Sequence, residues 1–148
     1  MENENIIGLA CDHAGYELKE KLKDYLTSIG FTVKDFGTNS CESVDYPDYI
    51  HPLASEINNG NLKKAIIICG TGNGVSMTAN KYINVRAALC WNTEIAKLAR
   101  QHNDANILAL PARFISEKEA TDILNIFLNT NFESGRHSRR IEKIRNIL

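Results

Sequence analysis

Five short apolar runs alternate with amphipathic segments, and this alternation restricts the possible folds more than any other feature of the chain. Each run is short and mainly apolar, as expected for strands buried on both faces of a sheet. The runs are Ile6–Ala10, Phe31–Phe36, Ala65–Cys69, Val85–Cys90 and Ile107–Leu110. The order predicts one α/β domain over residues 1–148. We expect a three-layer α/β/α, Rossmann-like fold, with a five-stranded parallel sheet in the flavodoxin-like strand order.

Individual residues mark where the predicted helices begin and end. The first helix is expected to end at Gly30, and Pro47 suits the start of the second. Ser116 and Glu119 form a capping box at the start of a later helix. A short final helix carries apolar residues that need a surface to cover; these are Ile141, Ile144 and Leu148.

Composition excludes several classes of partner. The net charge of −1 gives no overall attraction to nucleic acid. No apolar run approaches the roughly 20 residues of a membrane span. The first residues, MENENII, lack the pattern of a signal peptide. None of the four cysteines forms a C-x-x-C pair, and a reducing cytoplasm is the simplest setting for them. We therefore expect a cytoplasmic protein with neither nucleic-acid nor membrane partners.

The residues that follow the predicted strands are the candidates for chemistry, because open α/β sheets bind ligands beyond the carboxyl ends of their strands. Asp12 and His13 follow the first strand, and Arg113 comes soon after the fifth. Cys69 ends the third strand and is followed by the glycine-rich loop Gly70–Gly74. With the first and third strands as neighbours, their loops would face one crevice.

The glycine-rich loop fits an anion site beside a thiol. Its backbone amides can bind a phosphate or a developing oxyanion, and can lower the pKa of an adjacent cysteine. The loop lacks the lysine of a P-loop. Val75 also occupies the position of the third glycine of a dinucleotide fingerprint and of the arginine of a cysteine phosphatase. A buried structural cysteine followed by a tight turn remains an equally open interpretation.

The other candidates also allow two interpretations. Asp12 could cap a helix or clamp a sugar hydroxyl. His102 and Asn103 could simply end a helix, or could serve a site. Arg136 and Arg140 share a helix face, which suits a phosphate but also a solvated tail. The four histidines are scattered along the sequence, so we expect no metal ion and no cofactor.

Five motifs in sequence order resemble type B ribose-5-phosphate isomerases, a family that includes relatives acting on allose 6-phosphate and galactose 6-phosphate. The strings are CDHAG, DYPDY, CGTGNG, RQHNDANILAL and GRHSRR, and they extend over nearly the whole chain. The resemblance implies an aldose–ketose isomerase that interconverts ribose 5-phosphate and ribulose 5-phosphate through ring opening and an enediolate. The alternatives are a hexose 6-phosphate isomerase and a non-catalytic sugar-phosphate-binding protein.

The resemblance also implies roles for individual residues. Cys69 corresponds to the general base, since a subgroup with a glutamate base carries it at the position of Val75. His102 corresponds to the acid that opens the furanose ring, assisted by Asp12 and Thr71. The remaining substrate ligands are the backbone of Gly70, Thr71, Gly72, Asn73 and Gly74 at the enediolate, Tyr46 and Asn103 at the sugar, and His13, Arg113, Arg136 and Arg140 at the phosphate.

The terminal arginines point to an oligomer. They precede the apolar stripe of the final helix, and such a short helix gains most of its stability from packing. We expect that helix to pack on a partner subunit and to bring Arg136 and Arg140 to the partner's site, as the resemblance also implies. The predicted assembly is a homodimer with shared active sites, or a dimer of dimers.

Overall fold

A computed structural model describes residues 5–146, which form five strands and six helices. The strands are β1 (Ile6–Cys11), β2 (Thr32–Asp35), β3 (Lys64–Cys69), β4 (Ala87–Leu89) and β5 (Ile107–Pro111). The helices are α1 (Tyr16–Ser28), α2 (Tyr46–Asn58), α3 (Asn73–Ala79), α4 (Thr93–Asn103), α5 (Glu117–Asn129) and α6 (Arg136–Arg145). Leu148 of the predicted apolar stripe lies outside the described residues.

All strand pairs are parallel, and the strand order is β2-β1-β3-β5-β4. The prediction that β1 and β3 are neighbours is confirmed. The flavodoxin-like order 2-1-3-4-5 is wrong for the last two strands, which are exchanged. The burial and the lengths of the two strands agree with this order. β5 is buried throughout and suits the interior, whereas β4 has three partly exposed residues and suits an edge, where a short strand offers little unpaired backbone.

Helices cover both faces of the sheet, as the three-layer prediction requires. Successive side chains of a strand point to opposite faces, so Ile66 and Ile68 pack with α1, α4 and α5. Ala65, Ile67 and Cys69 pack on the other side with α2 and α3. The thiol of Cys69 therefore belongs to the layer formed by α2 and α3. Among residues 5–146, no helix is both long and apolar enough to cross a membrane.

The sequence signals at helix ends act largely as predicted. Ser116 and Glu119 form a complete capping box at the start of α5. Gly30 has a φ of +102° just beyond α1, a conformation that glycine adopts without a steric penalty. Pro47 is the second residue of α2, because Tyr46 opens the helix one position earlier.

Candidate active site

Cys69 ends the third strand at the middle of the sheet and begins the glycine-rich turn. The thiol is 5% exposed, and its Sγ accepts a hydrogen bond from the Gly72 amide at 3.1 Å. Gly72 has a φ of +76°, and a Cβ there would collide with Leu89. The turn that directs an N–H group at the sulfur therefore requires glycine at this position.

Arg113 lies beside this turn because β5 pairs with β3. The Ala112 amide donates to the Cys69 carbonyl at 2.8 Å, and the Arg113 amide donates to the Gly70 carbonyl at 3.1 Å. The guanidinium packs so closely on Gly70 that a Cβ there would lie 3.1 Å from Nη1. A positive charge is thus held near the thiol by backbone pairing and by the absence of a side chain at position 70.

Asp12 and His13 reach the same place from the end of β1. The Asp12 amide donates to the Ile68 carbonyl at 3.2 Å, and Asp12 Oδ1 accepts from the amides of Ala14 and Gly15. Asp12 therefore caps a short 3₁₀ turn, as one interpretation of the sequence held, and also lines the cleft. His13 Nδ1 accepts from the Val44 amide at 3.2 Å. In the neutral ring this bond places the proton on Nε2.

The first turn of α2 forms the opposite wall. The Tyr46 ring covers Gly74 so tightly that a Cβ at Gly74 would lie 2.5 Å from Cζ. Together these elements enclose a cleft of about 770 Å³ at the carboxyl edge of the sheet. Its lining residues are Asp12, His13, Ala14, Val44, Asp45, Tyr46, Pro47, Asp48, Cys69, Gly70, Thr71, Gly74 and Arg113.

Eight of the predicted site residues therefore meet in one cleft, whose lining does not include two predicted residues of the glycine-rich loop, Gly72 and Asn73. Gly72 is buried against Leu89 and Leu110, and Asn73 is exposed at the start of α3. Sequence reasoning missed Asp45 and Asp48, which place two carboxylates in the cleft. Both belong to the DYPDY string, and their place in that motif could have identified them as site residues.

Within residues 5–146, the wall of this cleft does not include the other four predicted site residues, which are His102, Asn103, Arg136 and Arg140. α4 runs back along the sheet, antiparallel to the strands, so its last residues lie at the amino edge. Arg86, just before β4, donates from Nε to the Asp104 carbonyl at 3.0 Å. β5 alone spans roughly 16 Å at about 3.3 Å per residue. The sheet therefore separates His102 from Cys69 within one chain.

A second group of residues, which we call the amino-edge cluster, lies where the strands begin. It contains His102, Asn103, Arg136 and Arg140, together with Glu133 and His137, which sequence reasoning did not select. The rings of His102 and His137 stack at 4.3 Å. Glu133 Oε1 lies 3.5 Å from His102 Nε2 and 3.9 Å from His137 Nε2. Burial, followed by positive charge on His102 and Arg136, lowers the pKa of His137. The histidines are scattered along the sequence, but the inference that they form no cluster with a carboxylate is wrong, because the ligand atoms of His102, Glu133 and His137 all lie within 4.8 Å of one another.

Two other buried thiols differ from Cys69 in their surroundings. Burial raises the pKa of Cys11 and of Cys90 to about 12. The Cys11 sulfur is 4.0 Å from the Thr38 carbonyl, and Cys90 Sγ is 3.6 Å from the Ala88 carbonyl. Both sulfurs face hydrogen-bond acceptors, whereas the sulfur of Cys69 faces a donor. Val75, where a glutamate base would stand, is fully buried in the core.

Comparison with known proteins agrees with this arrangement. A family model described as Ribose/Galactose Isomerase matches residues 7–144. The chain belongs to the ribose/galactose isomerase family. Its relatives in the family include ribose-5-phosphate isomerase B of Escherichia coli, which is 41% identical over 138 residues, 93% of each chain.

Solved structures in the ribose/galactose isomerase family have the same fold. A ribose 5-phosphate isomerase of Thermotoga maritima superposes with a TM-score of 0.94 at 50% identity, covering 96% of this chain and 98% of its own. Ribose-5-phosphate isomerase B of Mycoplasma genitalium, solved with bound ribulose 5-phosphate, gives a TM-score of 0.91 at 44% identity. That match covers 95% of this chain and 93% of the other. The chain is thus related over almost its whole length to isomerases of sugar phosphates.

Proposed function

We propose that this protein interconverts ribose 5-phosphate and ribulose 5-phosphate, with Cys69 as the general base. The observation that carries the proposal is the Cys69 thiol in a cleft with His13 and Arg113, facing an amide donor. The relatives support the choice of substrate, since one of them was solved with ribulose 5-phosphate bound. The four cysteines are free thiols, which fits the reducing cytoplasm that we propose as its location.

The proposed chemistry is proton transfer between adjacent carbons. Cys69, as thiolate, removes the proton from C2 of the open-chain aldose, and the electron pair forms the enediolate. The same thiol then returns the proton to C1 while the proton of the C2 hydroxyl passes to O1, which leaves a carbonyl at C2 and gives the ketose. Backbone amides of the loop from Gly70 to Gly74 stabilise the oxyanion, which is the largest contribution that a preorganised site makes to such a step. The Arg113 guanidinium and the Nε2–H group of His13, on the same side of the cleft, hold the phosphate.

We further propose that the complete site forms between two copies of the chain. His102 is the acid assigned to ring opening, yet it lies at the sheet edge opposite Cys69 in its own chain. A second copy can supply the amino-edge cluster to the cleft, so that the partner's His102 faces the sugar. Arg136 and Arg140 would accompany it and complete the phosphate site, while Asn103 would contact the substrate.

The final helix supports this assembly. Ile144 is 62% exposed on α6, and Ile83, 56% exposed, lies on the same side of the molecule in a groove next to Asn103. Burying two such side chains against a partner is worth about 1.5–3 kcal/mol each. The assembly would therefore bury apolar surface where the cleft of one copy meets the amino-edge cluster of the other.

The second candidate function is isomerisation of a hexose 6-phosphate, because the family description includes galactose isomerases. The test compares specificity constants for ribose 5-phosphate, allose 6-phosphate and galactose 6-phosphate. A Cys69→Ala preparation purified in parallel measures contaminating isomerase. We expect ribose 5-phosphate to have the highest constant. A higher constant for either hexose phosphate would replace the proposed substrate, and no turnover of any would favour a sugar-phosphate-binding protein.

A further inference from the structure

The amino-edge cluster has three ligand-type atoms within 4.8 Å of one another. His102 Nε2 and His137 Nε2 both approach the same oxygen, Oε1 of Glu133. Two imidazole nitrogens and one carboxylate oxygen are ligands that Zn²⁺ and its neighbours in the first transition row accept. Two histidines and a carboxylate also make up one of the known three-ligand zinc sets.

The spacing of these atoms suits an ion better than direct hydrogen bonds. A charged N–H···O contact is typically about 2.7–2.9 Å long. The nitrogen–oxygen distances here are 3.5 Å and 3.9 Å. Metal bonds of about 2.0–2.1 Å at tetrahedral angles place neighbouring ligand atoms about 3.4 Å apart. The three residues thus close on an ion by a contraction from separations of at most 4.8 Å, together with a tilt of one ring out of the stack.

The backbone holds the three residues in place. The Glu133 amide donates to the Gln101 carbonyl at 3.0 Å, which ties residue 133 to the last turn of α4, next to His102. His137 lies four residues after Glu133 in the first turn of α6 and is 9% exposed. The His102 side chain is 38% exposed, so its ring can tilt out of the stack toward an ion. The Glu133 side chain, 51% exposed, leaves the fourth position open to water.

We propose that His102, Glu133 and His137 form a binding site for Zn²⁺ or a similar transition-metal dication, and that an ion bound there inhibits the isomerase. A nitrogen bound to a metal ion has neither a lone pair nor a proton to exchange with a sugar. The inhibition rests on the function proposed for His102, whereas the metal site itself does not. The ion takes no part in turnover; it removes the ring-opening acid from use.

Neighbouring charges limit the affinity of this site. Arg136 and Arg140 both act on His137 electrostatically, and like charge opposes a dication. With three protein ligands and two nearby guanidinium groups, the site is expected to bind less tightly than a closed four-ligand structural zinc site. Such an affinity suits reversible inhibition rather than a permanently bound ion.

The test measures metal binding directly. Chelator-treated protein is titrated with Co²⁺, whose visible spectrum reports coordination geometry and any thiolate ligand, and with Zn²⁺ by calorimetry. We expect one ion per chain and no thiolate-to-cobalt charge-transfer band. Glu133→Gln, an isosteric change at an exposed residue, should raise the Zn²⁺ dissociation constant at least about tenfold. His137→Gln should do the same, with thermal unfolding used to check that it folds.

His51→Gln is the matched control, because His51 lies in α2 with Nδ1 2.8 Å from the Tyr82 hydroxyl, away from the cluster. It should leave Zn²⁺ affinity unchanged. Unaltered affinity in Glu133→Gln would overturn the site. A thiolate band that disappears in Cys69→Ala would place the ion on the catalytic thiol and overturn it as well.

Inhibition is measured separately, relative to each variant's own metal-free rate. We expect the Zn²⁺ inhibition constant of Glu133→Gln to rise together with its dissociation constant. A raised Zn²⁺ dissociation constant with an unchanged inhibition constant would refute the proposal that this ion inhibits the enzyme. If the wild-type protein proves to have no isomerase activity, the proposed function fails, and the binding titrations still decide whether the metal site exists.

Discussion

At the scale of single residues, the surroundings of Cys69 differ from those of the other buried thiols and support the general-base role that we propose for it. Its sulfur accepts from the Gly72 amide at 3.1 Å, and Arg113 packs against the adjacent glycine. A thiolate is favoured by donors and by positive charge. Cys11 and Cys90 instead have their pKa raised to about 12 by burial, so they stay protonated at neutral pH.

Cys69→Ala should lower kcat for ribose 5-phosphate by about 10²–10⁴-fold, because that is the usual contribution of a general base. Substrate binding should survive, since the phosphate ligands are unchanged. Steady-state kinetics and calorimetric binding of ribose 5-phosphate measure the two effects. Cys41→Ser is the control, because Cys41 is exposed, and it should keep nearly the wild-type rate. A rate for Cys69→Ala within a few-fold of wild type would remove the thiol from the mechanism.

His102→Asn should separate ring opening from proton transfer. Ribulose 5-phosphate cannot form a furanose, so exchange of its C1 proton with solvent needs the base but not the ring-opening acid. In deuterium oxide, we expect this variant to retain exchange, followed by NMR, while net conversion to ribose 5-phosphate falls by about 10²-fold. Cys69→Ala, run alongside, should lose both. Equal losses of exchange and conversion in His102→Asn would contradict a ring-opening role.

The cleft residues could be predicted because three adjacent strands end at the same edge of the sheet. Asp12 directly follows a buried strand, Cys69 ends one and Arg113 lies two residues beyond the end of β5, and parallel pairing brings those strand ends together. The sequence did not reveal Asp45 and Asp48 as lining residues. They come from the turn that opens α2, and the path of a ten-residue irregular segment cannot be deduced from pattern alone.

At the scale of elements, a buried ion pair fixes α1 and β2 near the site. Lys19 is fully buried, and its Nζ lies 2.8 Å from both carboxylate oxygens of Asp35. Asp35 Oδ1 also accepts from the Gly37 amide at 2.9 Å. The Gly37 carbonyl in turn accepts from the Cys11 amide at 2.7 Å. The loop after β2 is thereby held against the end of β1, next to Asp12.

Asp35→Asn should lower the free energy of unfolding at pH 7 by about 3 kcal/mol, because it leaves the Lys19 cation buried without a partner. Burial alone would raise the pKa of Asp35, but hydrogen bonds from Lys19 and Gly37 outweigh it and hold that pKa below its usual value. The stabilisation is therefore complete above the unfolded pKa of about 3.9 and is lost as the pH falls through the lower folded pKa.

Denaturant unfolding at pH 7 and at about pH 3, at fixed protein concentration, measures this dependence. The difference between wild type and Asp35→Asn should shrink in acid. Asp24→Asn, at an exposed carboxylate of α1, is the control and should change stability by less than about 0.5 kcal/mol at either pH. A difference for Asp35→Asn that is small at pH 7, or that grows in acid, would contradict the role of the ion pair.

The order of the last two strands shows where element-level prediction stops. The alternation of runs and helices predicts a parallel sheet, but it does not decide which strand occupies the edge. In the folded chain the three-residue β4 is partly exposed at the edge, and β5 is completely buried between β3 and β4. The sequence pattern does not separate the two, because both runs are mainly apolar.

At the scale of the whole molecule, the protein has two clusters at opposite edges of one sheet. The cleft at the carboxyl edge contains the thiol, and the amino edge contains His102 with Asn103 and the two arginines. The sequence assigned these residues to one site through the resemblance, and it assigned only Arg136 and Arg140 to a partner. The direction of α4 is the reason that we propose a partner's site for His102 and Asn103 as well, and no spacing in the sequence could have indicated it.

The central claim is that each active site combines the cleft of one subunit with the amino-edge cluster of another, and subunit complementation tests it directly. Cys69→Ala and His102→Asn chains, each nearly inactive alone, are mixed under conditions that exchange subunits, and heterodimers are verified by mass. A heterodimer then has one site with both defects and one with neither. Random exchange should restore about one quarter of wild-type activity.

The matched control mixes Cys69→Ala with His13→Ala, whose defects lie in the same cleft. Every site of that heterodimer carries one defect, so this mixture should stay inactive. Recovery in the first mixture, and none in the control, is the result that the shared site predicts. No recovery from verified Cys69→Ala/His102→Asn heterodimers would contradict it.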